Sequence, residues 1–301
     1  MRTILLRLHF SDPVHLGEGT LSDAARTAGA DTLFSGLCVQ ALRTNGSAAI
    51  DHMVSAVRGG TLRLSDALPY IGETYYIPKP LLRIQTQESD SLRKKIFKKL
   101  SYIPLDKLPA YCAGTLEPEA EAENFRELVG KGDVRTQVHV SGDPFYVGTF
   151  RFAPNAGLYV VLQYEDSSVL KLFRALGYSG LGGKRSSGFG KFEVEEASAE
   201  HFADLNPQGR CMNLSLGMAQ DAELPHVLQG ASYLLKRRTG FVYSEDYSET
   251  PRRKRDFYAF VAGSVFRAPF AGDVFDVANG GAHPVWRYAA PIFLGLGVAE
   301  G

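Results

Sequence analysis

The sequence has few cysteines, and none of them is paired at a metal-binding spacing. Its 301 residues include three cysteines, Cys38, Cys112 and Cys211, which lie far apart and form no C-x-x-C motif. Such a sparse, odd-numbered set argues against a disulfide framework and against a tetrahedral zinc site. We therefore expect no metal and no cofactor.

The chain also lacks a net charge and a long apolar run. Its 33 Lys and Arg residues balance 33 Asp and Glu residues, so total charge favours neither nucleic acid nor membrane as a partner. No segment approaches the roughly 18 consecutive apolar residues that a membrane span needs. The start, MRTILLRLHF, alternates instead of forming the apolar core of a signal peptide. We expect a soluble, cytoplasmic protein with no membrane contact.

The first part of the chain has clear secondary-structure patterns, and the next part does not. Residues 3–10 alternate apolar and polar side chains, which predicts a half-buried strand. Asp31 is predicted to cap one helix, and Ser47 to begin a second that ends before residue 60. The segment of about 66–142 combines a basic run with an acidic stretch. We interpret it as an irregular insertion with extended pieces and a mobile, charged portion.

Regular patterns return after this insertion. FYVGTFRF (145–152) and GLYVVLQY (157–164) predict two strands joined by a turn, and a helix and a further strand follow. The order is close to the β-α-β-β-α-β plan of a ferredoxin-like (RRM-like) domain. A linker-like Asn-Pro-Gln-Gly begins at residue 206, and strand-like segments follow it. We therefore predict an α+β fold with domains over 1–206 and 207–301.

A glycine-rich loop at residues 177–191 carries the strongest functional signal. It holds six glycines between two basic flanks, and nothing from Ser167 to Phe192 is acidic. Glycines let the backbone approach a ligand closely, and successive N–H groups with Lys and Arg bind anions. The positions of Tyr178 and Arg185 exclude a Walker loop, and residue 185 also breaks a dinucleotide fingerprint. The pattern favours a loop that binds a phosphodiester backbone over a plain surface turn.

Seven segments carry a resemblance to a known family. They are HLG (15–17), ADTLFSGLC (30–38), YIPKP (76–80), GLGGKRSSGFGKF (180–192), KRRTGFVYSE (236–245), DFYAFVAGSVF (256–266) and HPVWRYAAPIFLGL (283–296). Together they resemble the repeat-associated mysterious protein (RAMP) superfamily of CRISPR proteins. Within it, the chain is most similar to the Csm subunit four family, the subunit that caps the 5′ handle of the guide RNA in type III-A Csm effectors.

The resemblance implies a fold, a function and partners. The implied fold is two ferredoxin-like domains, with the insertion in the first domain and the Gly-rich loop between that domain's second helix and fourth strand. The implied function is a non-catalytic subunit that binds the 5′ handle of the crRNA and docks the large polymerase/cyclase subunit. A backbone RAMP subunit that slices target RNA is the second implied protein partner. The segment around Arg135 matches the family pattern only loosely.

We expect the RNA contacts to come from the Gly-rich loop, the turn after the first strand and basic residues near prolines or aromatics. Cations beside an aromatic ring suit unstacked nucleotides. The candidate RNA-binding residues are His15, Gly17, Ser35, Lys79, Arg83, Arg135, Gly182, Gly183, Lys184, Arg185, Ser186, Ser187, Gly188, Phe189, Gly190, Lys236, Arg237, Arg238 and Phe241. For the basic runs at 93–99 and 252–255, three roles stay open: contact with RNA, contact with a protein, or exposure to solvent. Trp286 and Tyr288 alternate along a strand and are predicted to pack in a core.

Two other functions remain open at this point. A metal-independent crRNA-processing endoribonuclease of the same superfamily would use His15 as general base on a 2′-hydroxyl. Against it, the Gly-rich loop is followed by about 110 further residues, whereas the superfamily's processing nucleases carry it near the C-terminus. A general RNA-binding module outside CRISPR defence would bind structured RNAs without preferring a 5′ end.

Overall fold

The computed structural model describes residues 1–82, 91–138 and 142–297, and it is a mixed α and β structure. Its helices are α1 (Ala30–Asn45), α2 (Ser47–Arg58), α3 (Ser91–Lys99), α4 (Leu108–Cys112), α5 (Pro118–Leu128), α6 (Ser168–Ser179) and α7 (Leu224–Val227). No helix within the described ranges is long and apolar enough to cross a membrane.

Eighteen strands accompany these helices in the described residues. Those before residue 200 are β1 (Arg2–Phe10), β2 (Leu16–Glu18), β3 (Thr20–Ala25), β4 (Leu62–Leu64), β5 (Leu68–Ile71), β6 (Thr74–Pro78), β7 (Tyr102–Pro104), β8 (Gly130–Val138), β9 (Pro144–Phe152), β10 (Ala156–Tyr164) and β11 (Phe192–Ala197). Those after it are β12 (Cys211–Asn213), β13 (Leu235–Arg238), β14 (Phe257–Phe260), β15 (Val265–Phe266), β16 (Asp273–Asp276), β17 (Trp286–Ala289) and β18 (Phe293–Gly295).

A seven-stranded antiparallel sheet forms the centre of the molecule. Its strand order is β11-β1-β10-β5-β6-β7, and β4 pairs with the end of β10. The predicted first strand is confirmed, but it is buried on both faces and not on one. Leu6 and Leu8 pack with helices α1, α2 and α6, while Leu5 packs with residues of the second half such as Met212. The sheet is therefore the middle layer between the helices and the second half.

The extended pieces predicted within 66–142 are present, but the irregular character predicted for the segment is wrong. Three strands of the central sheet, β5, β6 and β7, lie in this range, together with α3, α4 and α5. β5 was not predicted because it has only four residues and both of its faces are covered, so that all of them from Leu68 to Ile71 are buried. A strand that is buried on both faces shows no alternation of apolar and polar side chains.

Both strands predicted at 145–152 and 157–164 are present, but they belong to different sheets. β10 lies between β1 and β5 in the central sheet, and every residue in it is buried. β9 pairs instead with β8 in a separate two-stranded ribbon over nine residue pairs. The turn between β9 and β10 is thus a connection from this ribbon to the central sheet.

The second half contains short strands and little helix. β12, β15 and β18 form a three-stranded sheet, while β13–β14 and β16–β17 form two-stranded ribbons. Among its described residues the only α-helix is the four-residue α7. Tyr288 packs against Phe34 of α1 with ring centroids 5.4 Å apart, as expected for a core residue. Arg58 lies over the ring of the partly buried Trp286.

The predicted role of Asp31 as a helix cap is wrong. Helix α1 begins at Ala30, and the N–H of Ala30 donates to Oδ1 of Asp66 at 2.7 Å. Asp31 lies in the first turn with a fully buried side chain. Arg238 Nε and Nη2 donate to its two oxygens at 2.8 and 2.9 Å, and Arg287 Nη1 donates to Oδ2 at 2.5 Å. Asp31 therefore joins α1 to two strands of the second half.

The two guanidinium groups keep this buried carboxylate ionised. Burial alone would raise the pKa of Asp31, but Arg238 and Arg287 outweigh burial and hold the pKa below its ordinary value. Removing one partner of a buried ion pair leaves an uncompensated buried charge, which is costly. Asp31, Arg238 and Arg287 are called the buried ion cluster below. Substitution of any one of them is therefore expected to destabilise the fold.

We predict that Asp31→Asn lowers the free energy of unfolding by about 3–5 kcal/mol, because both guanidinium groups lose their counter-charge. Denaturant unfolding of the full chain measures this change. Glu196→Gln is the matched control, since Glu196 pairs with Arg174 at 2.7 Å on the surface. An exposed pair contributes less than about 1 kcal/mol. Equal effects of the two substitutions would contradict the prediction.

Candidate nucleic-acid interface

The Gly-rich loop packs against the turn that follows β1. The N–H of Gly183 donates to the carbonyl of His15, and the N–H of Gly190 donates to the carbonyl of Pro13, both at 2.9 Å. Gly182 has a φ of +92°, and a Cβ there would lie 2.4 Å from the His15 oxygen. Only glycine fits this position. Part of the glycine content thus serves the close approach of two loops.

Two cations of this loop, Lys184 and Arg185, each lie over an aromatic ring from another segment. Lys184 has a φ of +57° and is the only non-glycine among the described residues with positive φ. Its Nζ lies 4.4 Å from the ring centroid of Phe145, which is on β9 of the β8–β9 ribbon. Arg185 Cζ lies 5.0 Å from the ring centroid of Tyr243 in the second half. The loop therefore presents its charges in fixed positions between the ribbon and the second half.

Arg135 and Phe189 form a third such pair. Arg135 Cζ lies 5.7 Å from the ring centroid of Phe189, and its Nε lies 3.8 Å from a carboxylate oxygen of Asp133. Phe189 is buried, so it anchors the loop. Ser186 and Ser187 lie in a single 3-10 turn and are exposed, and Gly188 follows them with open space around its Cα. The exposed tip of the loop thus carries two hydroxyl groups beside Arg185.

His15 lies underneath the loop. Its side chain is buried, and Nδ1 lies 2.6 Å from the carbonyl oxygen of Gly148 on β9. A carbonyl can only accept, so Nδ1 carries a proton and the lone pair of a neutral ring is on Nε2. A Cβ at Gly17 or Gly183 would lie 3.8 or 3.6 Å from Nε2. The imidazole is therefore enclosed between the ribbon and the two loops.

A cleft of about 690 Å³ opens beside the loop and is walled by both halves of the molecule. Gly182 and Gly17 form part of its wall on the loop side. Its charged lining is mostly basic: Arg26, Lys99, Arg126, Lys236 and Arg238. Asp66 is the only carboxylate among the described residues that line it. A cleft with this charge attracts a polyanion.

The remaining predicted residues fall into different places. Ser35 is half-buried in α1, and Arg83 lies outside the described residues. Lys79 Nζ donates to the carbonyl of Phe97 in α3, and burial lowers its pKa. This contact gives Lys79 a role in holding α3 beside the cleft.

The basic group on β13 is divided between three roles. Lys236 lines the cleft. Arg237 lies 2.8 Å from a carboxylate oxygen of Asp256 on the surface. Arg238 belongs to the buried ion cluster and also lines the cleft. Phe241 is exposed, with Arg253 Cζ 5.5 Å from its ring centroid.

Several residues of this candidate interface were not predicted from the sequence. Arg26 and Arg126 line the cleft but belong to no basic run, so nothing in the local pattern marks them. Tyr243 carried a signal that was available, since it follows Phe241 by two positions in KRRTGFVYSE. In the described part of the chain, no three His, Cys, Asp or Glu side chains form a group that could hold a metal ion.

Asp66 is the carboxylate on which the cleft's charge balance depends. Its Oδ1 accepts from the N–H of Ala30 at 2.7 Å and from the N–H of Leu216 at 3.1 Å. Burial raises the pKa of Asp66 to about 7, and the neighbouring Asp31 carboxylate adds to the rise. Near neutral pH this group is therefore partly protonated, which limits the negative charge in the cleft.

We predict that Asp66→Asn changes the pH dependence of stability in a defined direction. The folded state holds a proton on Asp66 between its ordinary pKa of 3.8 and about 7, where the unfolded chain has lost it. Its contribution to stability is thus complete below the lower value and is lost as pH rises to the upper one. We therefore expect the unfolding free energy of the native chain minus that of the variant to fall as pH rises from 3.8 to about 7, and to be constant above that. Denaturant unfolding at a series of pH values measures this difference.

Asp31→Asn is the contrasting variant in the same unfolding titration. The pKa of Asp31 is lowered in the fold, so its contribution is present above the ordinary carboxyl pKa and is lost as pH falls. The two difference curves therefore slope in opposite directions. Parallel curves would contradict the assignment of the proton to Asp66.

Comparisons with known proteins give one consistent result. A family model described as "CRISPR Csm4 C-terminal domain" matches residues 206–296. The chain is 40% identical to the protein named "CRISPR system Cms protein Csm4" of Mycobacterium tuberculosis, over 98% of each chain. It is 32% identical to the protein of the same name from Streptococcus thermophilus, over 94% of this chain and 96% of the relative.

The fold is also similar to those of solved structures. A chain in the crystal structure of the Csm3–Csm4 subcomplex of a type III-A CRISPR-Cas interference complex superposes with a TM-score of 0.67, at 19% identity and over 98% of this chain and 99% of that one. A chain of a Csm1–Csm4 cassette in complex with pppApA superposes with a TM-score of 0.64, at 19% identity and over the whole of both chains. At this level of identity the likeness concerns the fold.

Proposed function

This chain belongs to the Csm4 family, and on that premise we propose that it is the non-catalytic type III-A effector subunit that holds the 5′ handle of the crRNA. The observation that carries the proposal is the basic cleft of about 690 Å³ beside the Gly-rich loop. Five cations and one carboxylate line it, and exposed serines lie at the tip of the loop. Cations, backbone N–H groups and hydroxyls are the groups that contact phosphates.

The strand order supports a ferredoxin-like plan for the first half. The sequence β1, α1, β5, β10, α6, β11 follows the pattern β-α-β-β-α-β, with β11 and β10 on either side of β1 and β5 next to β10. The Gly-rich loop then connects the second helix of the plan to its last strand. For the second half we propose a reduced form of the same plan, in which the only α-helix among the described residues is the single turn of α7.

The protein partners in this proposal are the large polymerase/cyclase subunit and the backbone RAMP subunit. The relatives in solved structures are named with Csm1 and Csm3 respectively. On the side of the β13–β14 ribbon that faces away from the cleft, Leu235 and Tyr258 are exposed beside Tyr233. Exposed apolar side chains that lie together suit a protein interface. One face of this ribbon then contacts RNA and the other contacts a protein.

The burial of His15 supports a binding role over the nuclease alternative. A general base must reach the proton that it removes, within about 3.2 Å or through one water. The ring of His15 is instead enclosed by Gly17, Gly183 and the carbonyl of Gly148. In this position it supports the loop that holds the phosphates.

We predict that the double variant Lys184→Ala/Arg185→Ala weakens binding of guide RNA and reduces its salt dependence. Each lost phosphate contact lowers the slope of log K against log salt by about 0.7 for single strands. Fluorescence anisotropy with the mature guide RNA, over a series of salt concentrations, measures both effects. The control is Arg43→Ala/Lys171→Ala, which removes two exposed cations outside the cleft. If affinity and slope match those of the native chain, the loop is not the RNA site.

We also predict that the native chain leaves repeat RNA intact in EDTA, because the buried His15 cannot reach a 2′-hydroxyl as a general base. Gel analysis of labelled repeat RNA tests this, with His15→Ala compared with the exposed-histidine control His226→Ala. Under the proposal, His15→Ala only weakens binding, since the loop loses its support. Cleavage by the native chain that disappears in His15→Ala alone would overturn the proposal in favour of the nuclease.

A further inference from the structure

Two exposed aromatic rings lie next to the Gly-rich loop, on the second half of the molecule. Tyr243 and Phe241 are two positions apart in the chain, and their side chains are 62% and 56% exposed. Large aromatic side chains lose favourable burial when they remain in water. Two of them close together in the chain, one in contact with Arg185 of the Gly-rich loop, are therefore candidates for a ligand contact.

The backbone around these rings is held in place. Phe241 forms an antiparallel bridge with Arg253, and the N–H of Val242 donates to the carbonyl of Arg252 at 2.9 Å. After Tyr243, the hydroxyl oxygen of Ser244 lies 2.9 Å from Nε2 of His283. The rings thus extend from a segment fixed on both sides, which lowers the entropy cost of binding.

Each ring has a guanidinium group over one face. Arg185 Cζ lies 5.0 Å from the centroid of Tyr243, and Arg253 Cζ lies 5.5 Å from that of Phe241. With more than half of each side chain still exposed, the opposite face is open to solvent. Arg185 belongs to the Gly-rich loop, so the open face of Tyr243 lies beside the groups expected to bind phosphates.

We propose that Tyr243 and Phe241 form a stacking platform for unpaired bases of the RNA held by the Gly-rich loop. The inference rests on the proposed function, and it adds a base-contacting site to a phosphate-binding one. An aromatic ring with an adjacent arginine is the arrangement that holds splayed bases of single-stranded RNA. Such stacking tolerates any base, so the platform fixes the path of the strand without reading its sequence.

The charge around the rings favours RNA over a protein partner as the ligand. Both cation–π partners are arginines, and Arg252 is also exposed beside them. An RNA strand offers phosphates to these cations and bases to the rings at the same time. Tyr258, on the ribbon face away from the cleft, is as exposed but has no such cation over its ring among the described contacts. Tyr258 is therefore a matched control.

The test measures binding of a single-stranded RNA oligonucleotide to the full chain, using Tyr243→Ala, Tyr243→Phe and Tyr258→Ala. We expect Tyr243→Ala to weaken binding by about 5- to 150-fold, the range for loss of one base–aromatic stack. Tyr243→Phe keeps the ring and binds like the native chain, as does Tyr258→Ala. The salt slope is the same in all of them, because no phosphate contact is removed.

An oligonucleotide of the same length with abasic residues separates stacking from indirect effects. It binds the native chain more weakly, and Tyr243→Ala causes no further loss with it. If Tyr243→Ala weakens the abasic RNA as much as the intact RNA, the ring acts only by positioning Arg185 and the platform is excluded. If Tyr243→Ala binds RNA normally but captures less of the large subunit, the ring is a protein contact. Absence of RNA binding by the native chain would instead overturn the proposed function itself.

Discussion

The buried carboxylate of Asp31 is the interaction on which the arrangement of the two halves depends. It lies in the first turn of α1, yet both of its ligands, Arg238 and Arg287, come from strands of the second half. A buried charge is tolerated only where its partners are correctly placed. The geometry of the three side chains therefore fixes β13 and β17 against the helix. Because the cleft has walls from both halves, its shape depends on this contact.

The Gly-rich loop depends on close packing in the same way. Its backbone is hydrogen-bonded to the turn at His15. Its cations lie over aromatic rings of the β8–β9 ribbon and the second half. A flexible lysine or arginine loses considerable side-chain entropy on binding. Here part of that loss has already occurred in the folded protein, since Lys184 and Arg185 are held over Phe145 and Tyr243. The loop is thus a positioned basic element, and under the proposed function its glycines serve both the packing and the approach of a phosphate.

Local patterns in the sequence predicted longer elements, including β10, in which every residue is buried, and missed the short β5, which is covered on both faces. Strand β1 was found from the alternation of its side chains and helix α2 from Ser47 at its start, and the family resemblance is confirmed. β5 was missed because it has no polar face. The role of Asp31 was missed for a different reason: Arg238 lies 207 positions away in the chain. No local pattern reveals which of three consecutive basic residues neutralises a distant carboxylate.

The difference between these basic residues matters for the RNA binding that we propose. Lys236, Arg237 and Arg238 look equivalent in the sequence, but Asp256 and Asp31 offset the charges of the second and third. The net attraction of the cleft for phosphates is therefore smaller than its number of cations indicates. Because the chain as a whole carries no net charge, long-range attraction does not compensate. Under the proposed function, tight binding of a short RNA segment then requires a contribution that does not depend on charge, and the stacking that we propose for the exposed aromatic rings beside the loop is such a contribution.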